Sequence, residues 1–328
     1  MIKILFLYDN TNLLALTPII EGLRNQGYQI TLLDVRGLYS SHTRDLTKMA
    51  VDKANELASV GFDFGITCCH CGNPSIITLQ KLLPIKYGYF DIEHDLYTAV
   101  IEKSLKEVSI GTFSFTKIAT DYLTKASYKY YEAEWYKLDH LPYIKEYKEE
   151  SLQNALIIDS IEVRNKYDSF QYKHLFNEVF IKNVDPGDSY EGFKSYPEWG
   201  NTMGITKAID KAFFVLSCES SSIIESLYMD RIPILWHTSY EDEVEINDII
   251  SEVQIVENNV DRFHVFDKKL KFITCNNLEY KLDKLRNSPE LRRECIDIMK
   301  KDWAFDNKKP TVLSILISEI SRIYTSNI

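Results

Sequence analysis

Residues 216–227, LSCESSSIIESL, set Glu219, Ser220, Ser221 and Ser222 between an apolar run, AFFVL, and the helix-spaced Ile223, Ile224 and Leu227. Serine suits the start of a helix because its hydroxyl accepts from a main-chain amide. Ser222, with Glu225 three residues on, has the spacing of a capping box. The same local structure can also hold a ligand. Free amides where a strand turns into a helix bind a diphosphate without a cluster of lysines, and the Ser220 and Ser221 hydroxyls would add donors. Glu225 could accept from a pair of ribose hydroxyls, but beside a phosphate it would repel it. The two roles therefore need different sides of one ligand. Capping and ligand binding both stay open at this point.

A second chemical cluster is DIEHD, with Asp91, Glu93, His94 and Asp95 directly after an apolar segment. Histidine titrates near neutral pH and can serve as a general base, with a neighbouring carboxylate orienting its ring. The competing reading is a polar turn in which Asp95 caps the next helix. Two acids alone do not specify a metal site. The crowded ITCCHCGNPS holds Cys68, Cys69, His70 and Cys71. A C-x-x-C pair allows redox exchange or metal binding, but no second cysteine pair accompanies it, so a structural or cleft-lining loop is the simpler expectation. His70 and Asn73, and likewise Asp9, Asn10, Thr11 and Asn12, follow strand-like segments where they could touch an acceptor or merely cap. Tyr196, in a segment that reads as a long loop, could stack on a base or sugar. His237, after RIPILW, could reach phosphate or sugar.

The elements that must position these residues alternate. ILFLY, YQITLLDV, FDFGIT, IKYGYF and IGTFSF read as short buried strands, and helix-spaced segments separate them. The rhythm restarts at NALIID and continues through AFFVL and RIPILW. Strand–helix alternation of this kind builds parallel sheets covered by helices. Two Rossmann-like domains that face one another are expected, residues 1–150 on the acceptor side and 151–328 on the nucleotide side. The last apolar helix, TVLSILISEISRIYT, would pack back on the first domain or cover the second sheet.

Composition narrows the function. A chain of 328 residues with 45% hydrophobic and 26% charged residues can bury two cores. A formal net charge of −10 disfavours tracking along nucleic acid, although a small phosphorylated ligand needs only a local site. The opening MIKILFLYDN turns polar too soon for a secretion signal and reads as a strand. No segment reaches the roughly 20 apolar residues of a membrane span. A cytoplasmic protein is expected, and peripheral membrane attachment is compatible with these features. Neither G-x-G-x-x-G, G-x-x-x-x-G-K-[ST] nor G-x-S-x-G occurs, which disfavours the common dinucleotide, P-loop and hydrolase motifs.

The serine-rich junction resembles the nucleotide-binding half of GT-B-like proteins. Those include nucleotide-sugar glycosyltransferases, UDP-N-acetylglucosamine 2-epimerases and CDP-glycerol glycerophosphotransferases. The local likeness is to an epimerase pattern, Asp-Ser-Gly-Gly followed by paired glutamates. Glu219 takes the aspartate place, Ser220 the serine place, Ser221 and Ser222 the glycine places, and Glu225 that of the first glutamate, while Ser226 replaces the second. Pro233 resembles the proline of the family's following turn, with Arg231 and Ile232 where a glycine is common. His94 is placed like a histidine that glycerophosphotransferases carry before a glycine, here replaced by Asp95.

The resemblance implies a glycosyltransferase of cell-envelope polysaccharide synthesis that moves a sugar from a nucleotide sugar to a hydroxyl acceptor. His94 would be its base, and the 219–222 junction with Glu225 its nucleotide cradle. An epimerase, a glycerophosphotransferase or a noncatalytic nucleotide-sugar binder are the alternatives. No metal or other cofactor is required, because main-chain amides would offset the phosphate charge.

Overall fold

The protein is described by a computed structural model covering residues 1–8, 13–38, 45–68, 74–90, 108–115, 117–125, 127–134, 147–158, 170–182, 194–196, 208–217, 222–235, 253, 255–258, 270–301 and 309–325. The chain forms two compact units, Met1–Asp139 with Asp306–Ile328, and His140–Phe305. Among the described residues, 147–150 group with the second unit.

In the first unit a parallel sheet is built from β1 (Lys3–Tyr8), β2 (Gln29–Asp34), β3 (Phe64–Cys68), β4 (Lys86–Phe90), β5 (Ser109–Ser114) and β6 (Tyr130–Glu132). Its order is β2-β1-β3-β4-β5-β6. The strand ends are in line, Tyr8 opposite Asp34 and Cys68, and Thr67 opposite Tyr89. The apolar runs read as strands are buried where helices cover the sheet, except the edge strand β2, which is exposed at Gln29 and only half-buried beyond it. β3 is buried along its whole length. Helices α1 (Leu13–Asn25), α2 (Asp45–Ala58), α3 (Pro74–Leu82) and α4 (Lys117–Lys125) connect the strands. One core cluster joins Leu5 and Leu7 of β1 to Ala50, Ala54 and Leu57 of α2 and to Ile76 and Leu79 of α3. That spacing, i, i+4, i+7 on α2, is the apolar stripe of a surface helix.

Gly65 of β3 is dictated by its neighbour. It pairs with Tyr87 of β4, and a Cβ at Gly65 would lie 2.3 Å from the Tyr87 ring. The fully buried ring fills the space that a side chain would need.

The second unit holds β7 (Asn154–Ile158), β8 (Glu178–Lys182), β9 (Lys194–Tyr196), β10 (Phe214–Ser217), β11 (Ile232–Leu235), β12 (Ile255–Asn258) and β13 (Leu270–Thr274). The order is β12-β13-β11-β10-β7-β8-β9, parallel throughout except that β12 runs antiparallel to β13. Read from β9, the parallel strands follow the 3-2-1-4-5-6 order of a dinucleotide-type sheet, which reverses direction between β7 and β10. The expectation of two Rossmann-like parallel sheets with helices is met.

Helices α5 (Ser222–Tyr228), α6 (Leu278–Asn287) and α7 (Pro289–Lys300) belong to this unit. α7 is capped by Ser288, whose hydroxyl accepts from the Leu291 amide at 3.1 Å, with Pro289 in the first turn. Arg286 ties the end of α6 to the 3-10 turns that lead into β7 and β8, donating to the carbonyls of Leu152 at 2.9 Å and Leu175 at 2.8 Å. At the amino ends of the strands, the buried guanidinium groups of Arg231 and Arg292 flank Tyr147 and Phe213, each 5.4–5.9 Å from both ring centroids. These contacts hold α7 against the sheet.

α8 (Val312–Thr325) belongs to the first unit and packs on α1, the side chain of Leu313 lying over Gly22. The approach to α8 is fixed by the Glu134 amide, which donates to the Pro310 carbonyl at 3.0 Å. Among the described residues, no helix is long and apolar enough to cross a membrane.

Candidate functional site

The serine-rich junction leaves the sheet at its point of reversal. β10 ends at Ser217, α5 begins at Ser222, and β7 and β10 are neighbours connected to opposite sides of the sheet. In open α/β sheets a crevice forms where the carboxyl ends of two such strands diverge, and ligands bind there. Glu219, Ser220 and Ser221 lie outside the described residues, as does His237, two residues beyond the end of β11. Ser222 is the first helical residue. α5 has only seven residues, and a helix so short contributes little macrodipole.

Glu225 is 3% exposed, inside the first turns of α5, and Ser226 beside it is fully buried. Ile223, Ile224 and Leu227 are buried as their helical spacing predicts. Ser217, 1% exposed at the end of β10, carries a hydroxyl that has no hydrogen-bond partner among the described residues. Buried hydroxyls are seldom left so.

Pro233 stands in the middle of the sheet, where a missing N–H costs a ladder bond. β11 tolerates it because Pro233 pairs with Val215 of β10, whereas the ladder to β13 begins at Ile234.

Tyr196 is not in a loop as the sequence suggests. It ends β9, a three-residue edge strand, opposite Lys182 of β8. KSY is too short to show an alternating pattern, so only pairing with β8 reveals it. Tyr196 lies three strands from β10 in the sheet order. Adjacent strands are about 4.8 Å apart, which puts Tyr196 roughly 14 Å from the junction.

In the first unit, Glu93, His94 and Asp95 lie outside the described residues, in the stretch that follows β4. Asp9, Asn10, Thr11 and Asn12, after β1, and His70, Cys71 and Asn73, after β3, are outside them too. β1, β3 and β4 are adjacent parallel strands, so all three stretches depart from the same edge of one sheet. Cys68, at the end of β3, is buried, and so are Cys275 and Cys295 in the second unit. Burial pushes the Cys295 thiol up to about 12, which keeps it protonated and unreactive. Among the described residues, no group of three or more His, Cys, Asp or Glu side chains is placed to hold a metal ion.

One charged residue at the second sheet's carboxyl edge escaped the sequence reading. Lys281 of α6 is 2% exposed, and its ammonium donates to the carbonyl of Thr274 at 3.1 Å and to the Thr274 hydroxyl at 3.3 Å. Burial lowers its pKa to about 8, against a smaller opposing influence of Cys275. The signal was present in the sequence. Leu278, Lys281, Leu282 and Leu285 form one helical stripe, with a lysine where the spacing calls for an apolar side chain.

This burial has a measurable consequence. Below pH 8 both folded and unfolded chains hold the proton, and the desolvation cost is present in full. Between about 8 and 10.5 the unfolded chain keeps a proton that the folded one releases, so stability rises with pH across that window. Lys281→Met is expected to remove a rise on the order of 2 kcal/mol. Urea unfolding of both proteins at pH 7.5 and 10.5 measures it, and equal pH slopes would contradict the assignment.

Comparison with solved structures places this architecture. UDP-GlcNAc 2-epimerase from Neisseria meningitidis, bound to UDP-GlcNAc, is 11% identical with a TM-score of 0.63, over 98% of this chain and 100% of the other. S. aureus MnaA in complex with UDP is 10% identical with a TM-score of 0.65, over 100% of this chain and 98% of the other.

The fold is GT-B-like.

A weaker likeness extends to MurG of Acinetobacter baumannii, 10% identical with a TM-score of 0.51, over 98% of this chain and 100% of the other. The sequence matches no protein-family model and no curated protein. Identity this low establishes the GT-B-like architecture and leaves the chemistry to the site.

Proposed function

We propose that the protein binds a nucleotide sugar in its second unit and epimerises the sugar. The observation that carries this reading is the position of the serine-rich junction, at the carboxyl end of β10 where the sheet order reverses. It is supported by whole-chain likeness to structures named as UDP-GlcNAc 2-epimerases. In this reading the amides and hydroxyls of residues 218–222 take the diphosphate, and Glu225 accepts from the ribose. Inverting a carbon centre needs a proton removed and a proton returned. Glu93, His94 and Asp95 are the acid–base groups assigned to that work. Tyr196 and His237 are assigned to contacts with the ligand's base, sugar or phosphate. Nucleotide sugar is the substrate, and no cofactor is assigned.

Glycosyl transfer is the second reading, favoured by the likeness to MurG and to a glycosyltransferase from Rickettsia africae with a TM-score of 0.51. There His94 would take the proton of an acceptor hydroxyl, while the junction stabilises the departing nucleotide diphosphate.

Proton NMR of UDP-GlcNAc incubated with the protein separates the readings. Appearance of a second UDP-sugar without release of UDP is the expected result. UDP release that requires an added hydroxyl acceptor would replace epimerisation with transfer. Saturable binding with neither change would overturn both enzyme readings.

A further inference from the structure

Lys281 is a buried cation without a carboxylate partner among the described residues. Its ammonium touches only the carbonyl and hydroxyl of Thr274 among the described residues. Two neutral acceptors are a poor substitute for water around a full charge, and a buried ammonium normally pairs or loses its proton. Its position in the sheet suggests what the charge faces. Thr274 ends β13 opposite Leu235, the last residue of β11, and the Cys275 amide donates to the Leu235 carbonyl at 3.3 Å. Leu235 in turn stands opposite Ser217, the last residue of β10. Thr274, Leu235 and Ser217 therefore form one row across the carboxyl edge of three adjacent strands. Two strand spacings, about 10 Å in all, separate Thr274 from Ser217, where the serine-rich junction begins. Ser217 brings a second unsatisfied group to that edge, a buried hydroxyl without a partner among the described residues.

We infer that Lys281 is a positioning residue, a buried countercharge that fixes a nucleotide diphosphate at the end of β10. The inference rests on the proposed nucleotide site and adds to it a residue that does not touch the ligand. A hydrated surface lysine at this distance would be screened. An ammonium held in the low-dielectric interior acts at longer range and loses no side-chain entropy when the ligand arrives. At about 10 Å and an effective dielectric near 20, one buried charge changes affinity roughly tenfold for each negative charge on the ligand. The effect follows phosphate charge and ignores the base and ribose.

The test is calorimetric titration of UDP and of uridine into the wild type, Lys281→Met and Lys281→Gln. Glutamine keeps a donor for the Thr274 carbonyl and removes the charge. Both variants are expected to bind UDP at least tenfold more weakly and to bind uridine as the wild type does. Equal losses for UDP and uridine would assign Lys281 a purely structural role and overturn the inference. So would full retention of UDP affinity in the glutamine variant. Failure of the wild type to bind UDP at all would instead remove the nucleotide site on which the inference stands.

Discussion

Gly65→Val is expected to destabilise the first unit by about 3 kcal/mol, near the upper end for overpacking a well-filled core. The physical reason lies in one cross-strand pair. Tyr87 is fully buried, and its ring occupies the volume above Gly65 that a Cβ would enter at 2.3 Å. The ring cannot swing aside, because it packs in the same cluster as Leu79, Leu83 and Ile85. Tyr87→Ala should cost about 3–5 kcal/mol by leaving a cavity. The two changes together should cost less than their sum, since each removes the other's clash or void. Hydrogen exchange resolves the two units separately. Protection should fall along β1, β3 and β4 and stay unchanged along β10. Wild-type protection of β3 in Gly65→Val would show that the ring does not lie over the glycine.

His94→Ala is expected to lower turnover by about 10²- to 10⁴-fold, the usual contribution of a general acid–base group. UDP affinity should hardly change, because the nucleotide is assigned to the second unit and His94 belongs to the first. That split distinguishes a proton-transfer role from a cap. If His94 only closes the turn after β4, alanine costs some stability and leaves kcat alone. The measurement is kcat and UDP affinity of the same preparation. Unchanged turnover would move the acid–base assignment to Glu93 or Asp95, whose variants are tested in the same way.

The serine-rich junction shows where sequence reading succeeds and where it stops. AFFVL followed by polar residues and then Ile223, Ile224 and Leu227 marks a strand, a turn and a helix by local pattern, and the structure has the strand and the helix. Whether the turn faces a ligand depends on which strands flank β10. Only the reversal between β7 and β10 puts it at a crevice-forming position. Tyr196 illustrates the opposite case. A three-residue strand carries no periodic signal, and pairing with β8 alone defines it.

Sequence by itself determined the class of architecture, because alternating apolar runs of strand and helix length can be buried only as helix-covered parallel sheets. It also marked the boundaries of β1, β3, β4, β7, β10 and β11 to within two residues and the identity of the polar stretches that follow them. Tertiary structure decided strand order, the return of α8 to the first unit, the ring of Tyr87 over Gly65, and the burial of Lys281 beneath the end of β13. Each of these joins residues far apart in the chain or on neighbouring strands. Local spacing says which face of an element is apolar, but not which element comes to cover it.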